Sequence, residues 1–167
     1  MLVKKAKKGD QEALLKLVME QKQEFYKLAF VYMKNEEDAM DAMQEMIVIL
    51  YDNVSKLKNE EAFYSWSKTI LVNCCKNDLR KKKKVIFLED IKEEALEGTC
   101  ENIDERLTIE MQVEQLNKKY KEIIKLRYYL DLDYKTIGEL LKIPIGTVKS
   151  RLSTGIDKLK EKIGGEL

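Results

Sequence analysis

The sequence predicts an all-α protein: two small helical domains joined by an acidic linker, the C-terminal one containing a helix-turn-helix. Three observations carry that prediction. The chain has one Pro and seven Gly, and strong helix formers (Lys, Glu, Leu, Met) dominate it. Apolar residues recur at helical spacing from about residue 9 to residue 79, lose the pattern in an acidic stretch, and regain it near Leu107. A length of 167 residues gives room for one ordinary domain or two small ones. The expected division is 1–84, a linker over 85–104, and 105–167.

Composition narrows the chemistry. Apolar residues make up 44% of the chain and charged residues 37%, enough to fold around a core with a heavily charged surface. No run approaches the roughly 18 apolar residues needed to cross a membrane. The opening MLVKKAKKGDQEALL lacks the apolar centre of a signal peptide, so the expected compartment is the cytoplasm. Histidine is absent, which excludes His-based triads and His-ligated zinc. The three cysteines, Cys74, Cys75 and Cys100, form no CxxC pair and read as reduced thiols. Paired-carboxylate catalysis stays open, but no Gly-rich phosphate loop or other enzyme motif occurs. The residues point to no catalytic residue, metal, cofactor or small-molecule substrate.

A net charge of +1 conceals segregation. Residues 76–84 hold six bases and one acid, residues 89–105 eight acids and one base, and residues 142–162 six bases and two acids. Two basic blocks flank an acidic one, and such patterning speaks about partners rather than fold.

In the N-terminal domain, Asp38, Asp41 and Glu45 share one face of a helix while Met43, Met46, Ile47 and Leu50 line the other. An acidic stripe of this kind reads, by itself, as solvated surface. The polar segment 53–59 reads as an exposed loop. The next helix, FYSWSKTILVNCCKNDLRKKKK, turns Phe63, Ile70, Cys74 and, at the edge, Leu71 inward. Thr69, Asn73, Lys76, Asn77, Arg80 and Lys84 gather within about 100° on another face. Amides reach base edges and cations neutralise phosphates. Trp66 borders that face, where its ring could stack on an unpaired base; a core Trp and a solvated Lys run are the plain alternatives. The loop beside this helix suits a flipped-out base. The acidic linker reads as a solvated spacer or as a mimic of nucleic acid.

In the C-terminal domain, DLDYKTIGELLK gives a short helix capped by Asp133, with Ile137, Leu140 and Leu141 inward. Gly138 leaves room for a neighbouring helix. A tight turn over 143–146 leads to a second helix, with Pro144 where it begins. Val148, Leu152, Ile156, Leu159 and Ile163 form its narrow apolar stripe. Opposite lie Ser150, Ser153, Thr154 and Asp157, flanked by Lys149 and Arg151. A helix-turn-helix of this kind puts the start of its second helix into the major groove; an ordinary helical hairpin is the alternative.

The stretch YKEIIKLRYYLDLDYKTIGELLKIPIGTVKSRLSTGIDKLKE resembles region 4 of the bacterial sigma-70 family, in its small extracytoplasmic-function (ECF) group, and PIGTVKSRL is highly specific to that family. The resemblance implies that this helix reads the −35 promoter element, with Lys149, Ser150, Ser153 and Thr154 at bases and Thr147 and Arg151 helping at the backbone. The family often carries a large side chain at the position of Ser153 and Arg at that of Thr154, so two hydroxyl residues here imply fewer direct base contacts.

Similarly, EDAMDAMQEMIVILYDNVSKL and FYSWSKTILVNCCKNDLRKKKK resemble ECF sigma region 2, through Asp38, Ala39, Asp41, Gln44, Glu45, Trp66, Asn73, Asp78 and Arg80. Ser67 replaces the usual Leu. The resemblance implies a domain that melts the −10 element of promoter DNA, with Lys56, Lys58, Trp66, Asn73, Lys76, Asn77 and Arg80 toward the non-template strand. It also implies that Asp38, Asp41, Gln44 and Glu45 dock on the β′ clamp helices of core RNA polymerase, that the β flap is a second site of attachment to polymerase, that the protein is not an enzyme because polymerase does the chemistry, and that an anti-sigma protein holds the factor inactive. Outside the resemblance, two rivals remain: a stand-alone helix-turn-helix regulator that binds DNA without polymerase, and a module whose basic faces bind acidic proteins.

Overall fold

Among the described residues every regular element is helical. The structure is a computed structural model; it describes residues 1–89 and 105–164, with side chains over 1–83 and 109–164. Packing divides the chain into two compact units, Met1–Ile91 and Lys92–Leu167. No described helix is long and apolar enough to cross a membrane.

The first unit begins with α1 (Leu2–Lys7), ahead of where the apolar periodicity starts. Gly9, at φ +95°, supplies the left-handed joint after it. Asp10 then caps α2 (Gln11–Glu20) by accepting the Ala13 amide at 3.0 Å. α3 (Lys22–Met33) ends on Lys34 in the left-handed conformation. Asn35 caps α4 (Glu36–Asn53), accepting the Asp38 amide at 2.9 Å. Three acids in that first turn, Glu36, Glu37 and Asp38, suit the positive end of the helix dipole. α5 (Phe63–Glu89) closes the unit.

Helices α3, α4 and α5 pack on one another around Phe25, Leu28, Met43, Met46, Leu50, Phe63 and Leu71, all buried. Each such side chain contributes about 1.5–3 kcal/mol on burial. The inward stripe of α5 is rotated from the expected one. Leu71 lies at its centre, fully buried with Cys75, and Ile70 stands half-buried at its edge. Ser67 is also fully buried; its hydroxyl donates to the Phe63 carbonyl at 2.7 Å, so a small polar residue replaces an apolar one without an unmet hydrogen bond. α5 runs on to Glu89, so the first residues of the expected linker, 85–89, are helical. The Lys84 side chain, Cys100 and the linker over 90–104 lie outside the described residues.

The second unit comprises α6 (Glu105–Glu114), α7 (Lys118–Ile124), a π-turn (Lys125–Tyr129), α8 (Tyr134–Leu141) and α9 (Ile145–Ile163). α9 packs on α6, α7 and α8, and Val113, Ile123, Ile124, Leu126, Ile137, Leu140, Val148, Leu152 and Leu159 form the core. The nearly buried Lys125 donates to Glu114, and Lys121 reaches the same carboxylate at 3.3 Å. The apolar stripe of α9 also differs from expectation: Gly155 is buried in it while Ile156 is half-buried. The reason is close packing, because a Cβ on Gly155 would stand 3.1 Å from Ile124 Cδ1 and 3.2 Å from Tyr120 Cβ.

Candidate nucleic-acid interface

The second unit builds its face from a tight corner. Asp133 caps α8, accepting the Thr136 amide at 2.7 Å, a bond that holds the Asp133 carboxyl below its ordinary range. α8 stops at Leu141 because Lys142 turns left-handed at φ 55°. The Ile143 amide then donates back to the Gly138 carbonyl at 3.0 Å, the closing bond of a Schellman-type cap. A Cβ on Gly138 would meet the Ile143 carbonyl oxygen at 2.9 Å; the glycine exists for the corner itself. Pro144 precedes α9, and its carbonyl accepts the Val148 amide at 3.1 Å. Ile145 and Gly146, expected in the turn, are the first residues of α9.

This corner presents the start of α9. Lys149, Ser150, Ser153 and Thr154 are exposed, and Thr147 and Arg151 are half-buried. The Ser150 hydroxyl donates to the Thr147 carbonyl at 3.1 Å. Lys149 Nζ lies 5.9 Å from the centre of the Tyr134 ring, and the Arg127 guanidinium 5.6 Å from the same ring. Arg127 in turn donates to Asp131 at 3.1 Å and to the Leu132 carbonyl at 3.3 Å. Sequence reasoning missed Tyr134 and Arg127. Nothing in their spacing to Lys149 announces that one ring serves two cations.

In the first unit, Asn73, Asn77 and Arg80 are exposed along α5 and Lys76 is half-buried. Trp66 is half-buried, with its ring 6.5 Å from that of Phe63 and tilted by 59°. The preceding segment is more ordered than an open loop. It forms two 3-10 turns, Val54–Lys56 and Glu60–Ala62, and Val54 is buried. Asn53 donates to the Ile49 carbonyl at 2.9 Å and accepts from Lys56 at 3.0 Å. Lys56 and Lys58 remain exposed.

On α4, Asp41, Gln44 and Glu45 are exposed. Asp38 is only half-exposed and differs from them. It pairs with Lys82 of α5 and accepts from the Asn35 amide at 2.6 Å. The Lys82 ammonium first, then the Asn35 amide, holds its carboxyl below the usual range. Val48, exposed within the same face, is a second residue that the charge pattern concealed. Ile47, expected on the apolar side, is half-buried.

A helix-turn-helix whose second helix starts with small, polar, cation-flanked residues is the arrangement by which a protein enters the DNA major groove. Residues 17–85 match the family model of Sigma-70 region 2, and residues 106–159 that of Sigma-70, region 4. The RNA polymerase sigma factor SigV of Bacillus subtilis (strain 168) is 33% identical over 97% of this chain and 98% of its own. The ECF RNA polymerase sigma factor SigW of the same organism is 29% identical over 96% of this chain and 94% of its own. The chain belongs to the sigma-70 family, in its ECF group, and is a sigma factor that directs RNA polymerase to promoters. A solved Bartonella quintana sigma factor, RpoE, in complex with the anti-sigma factor NepR shares the fold at TM-score 0.68, with 17% identity over 91% of this chain and 97% of that one.

Proposed function

We propose that the two units divide promoter recognition between them. α9 reads the −35 element, with Lys149, Ser150, Ser153 and Thr154 at base edges and Thr147 and Arg151 at the backbone. α5 and the turns before it hold the non-template strand of the −10 element, through Lys56, Lys58, Trp66, Asn73, Lys76, Asn77 and Arg80. The α4 face docks on core polymerase at its β′ clamp helices, with Asp41, Gln44 and Glu45 touching polymerase directly and Asp38 at the edge; the β flap is the second attachment site. The chemistry of RNA synthesis stays with polymerase. A sigma factor of the same fold has been solved with an anti-sigma factor bound, and an anti-sigma protein is the regulatory partner proposed here.

The observation that supports this reading most is the start of α9: four exposed polar residues on one face of a helix that follows a closed corner. Short hydroxyls there permit close approach to base edges. Each unit offers few cations, so DNA affinity in isolation is weak, and attachment to polymerase raises the effective concentration of both surfaces at the promoter. Run-off transcription with purified core enzyme tests the reading. Promoter-specific transcripts that depend on the chain support it. Tight, specific DNA binding by the isolated chain together with no transcript would favour a stand-alone regulator.

A further inference from the structure

The basic block of α5 is not one surface. Ser67, Leu71, Cys75, Asp78 and Lys82 follow one another at spacings of four, four, three and four, so they share one side of the helix. The first three are buried, and Asp78 and Lys82 are half-buried. Among the described side chains, the stripe that packs against the core therefore continues past Cys75 into two charged residues, Asp78 and Lys82. Lys82 points away from Asn73, Asn77 and Arg80, which lie on the other side at the same pitch. Its ammonium meets Asp38 in the first turn of α4, and the carboxylates of Asp78 and Asp41 add to the field around it. Asp38 is itself braced by Asn35, which also donates to the Met33 carbonyl at 3.2 Å.

We infer that Lys82 is a positioning residue for promoter opening: through Asp38 it ties the strand-facing end of α5 to the polymerase-facing turn of α4. This rests on the reading of α4 as the docking face and α5 as the strand-binding helix. Among the described side chains of α5, the last fully buried apolar one is Cys75, with Leu79 half-buried beyond it. Beyond Cys75 the side chains that would hold the melted strand, Lys76, Asn77 and Arg80, stand on helix anchored laterally by a charge pair. Polymerase seizing α4 thus orients that stretch of α5. Lys82 acts on the DNA step without touching DNA, and Asp38 acts on it without touching polymerase directly.

A double-mutant cycle on the full-length chain tests this, using Asp38→Asn, Lys82→Gln and the pair, with core enzyme at saturation. The readouts are the rate of strand opening by permanganate reactivity and, separately, the affinity for core enzyme. Each single change is expected to slow opening about two- to fivefold, the range of an exposed charge pair. The pair together should be no slower than either alone, because the two changes break one interaction. Core affinity of Lys82→Gln should stay within about twofold of wild type, and Lys82→Arg should open at close to the wild-type rate. The inference is overturned if the two effects multiply, or if Lys82→Gln slows opening while Asp38→Asn does not; either result makes Lys82 a DNA-binding residue in its own right. Loss of core affinity in Lys82→Gln equal to its loss of opening rate would overturn it too. If wild-type protein itself neither binds core enzyme nor opens a promoter, the functional reading fails; if wild type does both and the cycle is additive, only the role of Lys82 fails.

Discussion

Gly155 of α9 lies against Ile124 of α7 so closely that a Cβ on the glycine would stand 3.1 Å from the isoleucine Cδ1. The helix proposed to carry the DNA-facing side chains is thereby seated on the core at its midpoint. At the other end of the helix-turn-helix, Gly138 leaves a Cβ only 2.9 Å from the Ile143 carbonyl oxygen. The two glycines set the position of α9 from both sides.

Substitution separates them. Gly155→Val overfills a packed site, and we expect a loss of about 1–3 kcal/mol. Gly138→Ala is expected to be more damaging than Gly155→Ala, because a backbone carbonyl yields less readily than the end of an isoleucine side chain. Denaturant unfolding of the full-length chain, followed in each variant, measures both.

Lys149→Ala combined with Arg151→Ala removes both cations flanking the recognition face. Promoter-specific transcription should fall about tenfold or more, with core binding unchanged, since a well-placed cation at a base edge is worth about 1–3 kcal/mol. Transcription at the wild-type level would refute the groove assignment.

Asp41→Arg reverses the charge of an exposed residue on the face proposed to meet polymerase. Like charge juxtaposed across an interface costs several kcal/mol, so co-elution with core enzyme should be lost while the helical signal by circular dichroism persists. Unchanged co-elution would remove this face from the interface.

The buried thiols give a pH prediction. Burial pushes Cys75 up to about 12 and Cys74 up to about 11, from an ordinary thiol value of 9.0. The unfolded chain therefore releases these protons at lower pH than the folded one. Stability should be independent of them below pH 9.0 and fall as pH rises from there toward the folded values. In the native protein at pH 8, iodoacetamide should leave both residues unmodified, and denaturant should expose them. Peptide mass spectrometry resolves each site.

Much of this architecture was legible in the residues. The period of the apolar positions carried the helices, the Asp133 cap and the tight turn over 143–146 announced the helix-turn-helix, and PIGTVKSRL pointed to the family; that Gly138 serves the corner itself came only from the structure. The stripes of α5 and α9 were each misjudged near their edges. Periodicity reports which residues are apolar, whereas burial depends on what the neighbouring helix offers. Ser67 is buried because its hydroxyl is satisfied by the helix's own backbone, and Gly155 because α7 leaves no space for a side chain. Neither reason is a property of hydrophobicity along the chain.

Charge behaved in the same way. Residues 76–84 read as one basic block, yet the helix divides them: Asn77 and Arg80 are exposed on one side, and Lys82 pairs with Asp38 on the other. Likewise the acidic stripe of α4 separates into exposed Asp41 and Glu45 and an Asp38 already engaged. The Tyr134 ring, shared by Arg127 and Lys149, had no signature at all. By itself the sequence determined the helical fold class, the Asp133 cap, the helix-turn-helix and the family, because these rest on periodicity and on motifs that are continuous along the chain. Only the tertiary structure decided which charges meet each other and which glycine sits under a neighbouring helix, since those pairings join residues tens of positions apart whose approach is set by packing.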